Sequence, residues 1–98
     1  MENDTEVEEV ELKLDALVAI TIPDLISARV DAEQLRLVLA RYFKRGMEAD
    51  FSTGELVDYL GVSTPSILDQ AGFTDDEAER AMGVVGGLAD EEIAAVET

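Results

Sequence analysis

Val10-Glu11-Leu12-Lys13-Leu14-Asp15-Ala16-Leu17-Val18-Ala19-Ile20-Thr21-Ile22-Pro23 is the stretch on which the fold turns. Val10, Leu12 and Leu14 alternate with Glu11, Lys13 and Asp15, a period of two that lines one face of a strand. The run Leu17 to Ile22 is rich in β-branched residues, and Pro23 ends it because proline cannot donate to a ladder. The two parts read as one bent strand or as two. Asp15-Ala16 makes a poor hairpin turn, which favours one strand. A lone strand leaves its ladder groups unpaired. It would therefore pair with its copy in a homodimer, through Val18, Ile20 and Ile22, or with Val10–Leu14 inside one chain.

Working outward, residues 1–9 hold five acids and one clear hydrophobe, Val7, and read as an acidic flexible tail. Downstream the signals are helical. Asp31 with Gln34 suits an N-cap and its third helical position, and Leu35, Val38, Leu39, Tyr42 and Phe43 follow at helical spacing as far as Gly46. Ser52 and Glu55 form a capping box, with Phe51 placed for a hydrophobic staple. Gly61 then turns the chain, Val62 packs inward, and Ser63 caps a helix with Pro65 in its first turn. Gly72 stops it. Thr74 and Glu77 open a further helix to about Met82, and Gly83–Gly87 break the chain before a last helix from Leu88. The expected fold is α+β and mainly α. A strand-plus-helix-turn-helix domain spans 10–82, and a glycine hinge with a short C-terminal helix spans 83–98.

Ser52 to Gln70 carries the helix-turn-helix spacing, with Leu56, Leu60, Val62 and Ile67 available to close a core between two steeply crossed helices. The groove-facing positions would be Thr64, Ser66 and Gln70. Gln pairs with adenine, and Ser or Thr touches bases or phosphate. This second helix has no Arg or Lys, and its Asp69 would face phosphates badly.

The cations stand elsewhere. Arg36, Arg41, Lys44 and Arg45 are four of the seven Lys and Arg, within a run free of acids. Arg41, Lys44 and Arg45 share one helical face away from Leu35, Leu39 and Tyr42. They are placed to steer phosphates, or to offset the C-terminal end of their own helix dipole and pair with the abundant acids.

The net charge is −16, with 23 Asp and Glu spread along 98 residues, yet 47% of residues are apolar. That balance points to a folded core under an acidic surface rather than to disorder. Lys is reduced to Lys13 and Lys44 against five Arg. A diffuse acid excess with scarce Lys is the composition of halophilic, haloarchaeal-type proteins, whose self-repulsion is screened in molar salt.

Other classes are set aside. Without Cys or His there is no disulfide, no thiolate or imidazole metal site and no usual general base. No calcium loop is present, and Asp75-Asp76-Glu77 suits a helix start better than a metal. Gly83–Gly87 lacks the lysine of a phosphate loop. No cofactor, no metal and no enzymatic activity are expected. No apolar run approaches the ~20 residues of a membrane span, and the acidic start lacks signal-peptide features, so a cytoplasmic protein is expected.

The order Leu35-Arg36-Leu37-Val38-Leu39-Ala40, Tyr42-Phe43-Lys44-Arg45-Gly46, Ser52-x-Gly54-Glu55-Leu56, Gly61-Val62-Ser63 and Ile67-Leu68, after a strand ending Ile22-Pro23, resembles a family of small prokaryotic antitoxin-like proteins. The resemblance covers roughly residues 17–73. Thr64-Pro65-Ser66 stands where members carry a bulky aromatic. The resemblance implies a dimeric helix-turn-helix protein that binds DNA, a toxin, or both. The expected function is thus a salt-adapted DNA-binding regulator or antitoxin-like protein. The alternative is a protein-interaction module without a nucleic-acid role, engaging its partner through the acidic tail or the last helix (Ile93, Val96).

Overall fold

Helix α1 runs from Glu2 to Ser27, straight through the stretch that the alternation assigns to a strand. The computed structural model describes residues 2–63 and 65–97, with side chains from Lys13 onward. Among these residues there is no strand, so the fold is all-α and not α+β. The order is α1, α2 (Ala32–Glu48), α3 (Thr53–Val57), α4 (Ile67–Gln70), α5 (Asp75–Gly86) and α6 (Asp90–Ala95). A π-helical turn, Asp58–Val62, extends α3.

The strand reading failed for a physical reason. Leu17, Thr21, Leu25 and Ala28 are buried, and Leu14, Val18 and Ile22 pack beside them. These positions recur at three- and four-residue intervals, which is one face of a helix. A helix satisfies its backbone groups internally, whereas a single strand among helices cannot. Pro23 sits inside α1 at a cost of about 3 kcal/mol. Packing of the buried stripe against α2 and α4 offsets that cost. Thr21 donates its hydroxyl to the Leu17 carbonyl at 2.6 Å, so this buried polar group is satisfied. Val18 and Ile22 lie half-buried on one side of α1 while Ile20 is exposed on another, so the strand-paired dimer built on these three residues falls away. Residues 2–9 belong to the same helix rather than to a flexible tail.

Helix α2 is the central element and meets α1, α3, α5 and α6. It buries Leu35, Val38, Leu39, Ala40, Tyr42, Phe43 and Gly46. Asp31 caps it, accepting from the backbone N–H of Glu33 and Gln34. Gly46 does not end it. The helix continues to Glu48, and Asp50 takes the left-handed turn at φ 70°. Gly46 is instead a point of close approach, where an added Cβ would stand 2.2 Å from Leu56 Cδ2.

The two capping boxes, Ser52 with Glu55 and Thr74 with Glu77, are both formed. Gly72, at φ +80°, ends α4. Arg29 reaches across from the end of α1 to clasp Glu77 with two hydrogen bonds, 2.5 and 2.7 Å, and its guanidinium lies 6.0 Å from the Phe73 ring centre. This pairing and the Thr74 N–H hold the Glu77 carboxyl down at about 2. Helix α5 runs through Gly83 to Gly86, so the expected glycine hinge narrows to the segment beginning at Gly87.

Candidate functional site

The cations of α2 do not face solvent as a free set. Arg36 clasps the Glu92 carboxylate through Nε and through Nη2, the latter at 2.6 Å, and Nη2 also donates to the Gly87 carbonyl at 3.2 Å. Lys44 Nζ donates to the carbonyls of Ala94, at 3.2 Å, and Val96, at 2.7 Å. Arg41 Nε donates to the Glu97 carbonyl at 3.0 Å. Arg45 stands 3.9 Å from Asp24. Lys44 and Arg41 therefore receive the C-terminal end of α6 and the residues just after it, where a helix leaves carbonyls without internal partners and carries its negative dipole end, while Arg36 holds Glu92 in the first turn. The hydrogen bonds from Arg36 lower the Glu92 pKa.

Between these polar contacts Ile93 and Val96 are buried, so the residues offered to an outside partner on sequence grounds face inward. Beside Ile93 lies a cleft of ≈ 360 Å³ lined by Phe43, Val57, Met82, Val85 and Leu88. Buried Tyr42, also on α2, donates its hydroxyl to the Leu56 carbonyl at 2.5 Å, and burial pushes its pKa up. The apolar and cationic parts of α2 together form a seat for α6.

The groove-reading residues are placed differently from expectation. Thr64 lies outside the described residues. Ser66, not Ser63, caps α4; it is 4% exposed and accepts from the Asp69 N–H at 3.1 Å. Gln70 is exposed and donates to the Pro65 carbonyl at 3.4 Å. Helix α4 is one turn of four residues, and Asp69 shares its exposed side with Gln70. A recognition helix presents three or four side chains to base edges, more than this turn provides. Val62, expected inside, is 66% exposed. Gly61 sits in the π-helical turn, where an added Cβ would stand 2.6 Å from Met82 Sδ.

Sequence reasoning found the α2 cations but missed their targets. No local spacing links Arg36 to Glu92 or Arg29 to Glu77. Among the described residues no group of three or more Asp or Glu stands ready for a metal, and no helix is long and apolar enough to cross a membrane. Comparison with protein-family models, curated proteins and solved structures gave no match. The resemblance read over residues 17–73 gains nothing from them.

Proposed function

We propose that this chain is a protein-interaction module rather than a reader of DNA. The observation that carries this reading is the engagement of Arg36, Arg41 and Lys44 by α6 and the residues that follow it. Binding to a duplex draws on cations that are free to replace counterions at phosphates. Here all four clustered cations already have partners, Arg45 the loosest at 3.9 Å from Asp24, in a chain of net charge −16. The short α4, with Ser66 committed to its cap, supports the same reading.

Fluorescence anisotropy with random and own-promoter duplexes tests it, at low salt and again in about 2 M KCl to separate charge-driven from shape-driven binding. The expected result is no saturable binding at either salt, with circular dichroism showing a folded protein. Saturable, sequence-selective binding in concentrated salt would overturn the reading.

A further inference from the structure

We propose that the cationic face of α2 is a receptor for an acidic amphipathic helix, held in cis by α6 until a protein segment of the same pattern takes its place. This rests on the interaction-module reading and names the partner's chemistry. The template is already seated. An acid (Glu92) meets Arg36, the adjacent Ile93 and the later Val96 are buried, and the helix ends where Lys44 and Arg41 receive its carbonyls. A competitor needs the same three features: an acid, apolar residues one and four positions later, and a free helix end.

Several observations make α6 displaceable. It has six residues, far too few to be stable without its seat. Ala89 at its N-cap provides no side-chain hydrogen bond. Its chief neighbour is α2. The cleft beside Ile93 leaves its apolar side incompletely packed. The Arg36–Glu92 clasp is exposed, so its contribution is small and falls with salt. Departure of α6 would free three cations beside the apolar side chains of Phe43, Val57, Met82 and Val85 that it now faces, a surface complementary to an acidic helix. The linkage in cis acts as an effective concentration of order mM, so an outside helix succeeds only when it binds better or the clasp loosens.

The test uses the full chain and a labelled synthetic peptide of residues 87–98, followed by anisotropy at low salt. Glu92→Arg places like charges together and opens the seat, while the peptide keeps its own Glu92. The peptide is expected to bind E92R about tenfold more tightly than the parent chain, and Glu92→Ala about fivefold, the scale of one exposed ion pair. Hydrogen exchange gives a second readout. Amides 90–96 are expected to exchange faster than the α2 core in the parent chain, faster still in E92R, and to regain protection in the swap R36E/E92R. Equal peptide affinity in parent and both variants, equal binding of a scrambled peptide, or exchange in α6 as slow as in α2 would each overturn the receptor while leaving the module reading intact. Displacement of the peptide by a duplex at equal concentration would overturn both.

Discussion

Replacing Gly46 with Ala should destabilise the protein even though alanine is the better helix former. Gly46 lies inside α2, and its missing Cβ is what admits Leu56. A methyl there would stand 2.2 Å from Leu56 Cδ2, 2.7 Å from Cδ1 and 3.0 Å from Cγ. Leu56 has little room to yield, because it is fully buried and its carbonyl accepts from Tyr42. Overpacking of this kind costs about 1–3 kcal/mol. The helix-propensity gain returns about 1 kcal/mol, so a net loss of up to about 2 kcal/mol is expected. Leu56→Ala alone should cost about 2–5 kcal/mol. In that background the methyl at position 46 enters vacated space, and the same substitution should stabilise by about 1 kcal/mol. The coupling in the double-mutant cycle is then about 1–3 kcal/mol, beyond the few tenths found for independent sites. Urea unfolding followed by far-UV circular dichroism measures it, with an unchanged m-value as the check on a constant unfolded state. Gly46→Ala stabilising the parent protein would refute the close approach of α2 and α3.

Gly61→Ala should be milder, below about 1 kcal/mol, although its Cβ would meet Met82 Sδ at 2.6 Å, because an unbranched thioether swings aside; the same unfolding assay reads it. Tyr42→Phe should cost about 1–2 kcal/mol by leaving the Leu56 carbonyl without its buried donor, again read by urea unfolding. Glu77 is held at about 2, below its ordinary 4.5, so its contribution is complete above 4.5 and is lost as the pH falls towards 2. A pH series of unfolding curves should therefore show Glu77→Gln to be less stable than the parent above that window and flatter within it.

The helix ends were the legible part of the fold. Asp31, the boxes at Ser52–Glu55 and Thr74–Glu77, and Gly72 act through bonds spanning a few residues, and local bonds leave local signals. The stretch from Val10 to Ile22 misled because a short alternation and a β-branched run satisfy a strand pattern, while the deciding positions, Leu25 and Ala28, lie beyond Pro23. Gly46 and Gly61 look like terminators, yet each is set by a side chain from another element, Leu56 or Met82. Ser63 and Ser66 both suit a cap, and only the backbone chooses Ser66. At the candidate site the α2 cations stood out in sequence, but Glu92 and the carbonyls of Ala94 and Val96 lie some fifty residues away.

The seating of α1 on both α2 and α4 also orders events during synthesis. The ribosome completes α1 about forty residues before it reaches α4, an interval of roughly 2–8 s at ordinary elongation rates. Throughout that time Leu17, Leu25 and Ala28 have only part of their cover. Asp15 and Asp24 on the same helix give the waiting chain a charge that keeps neighbouring nascent chains apart. Helix α6 is made later still, so the cationic face of α2 stands open on every new molecule before its own occupant arrives.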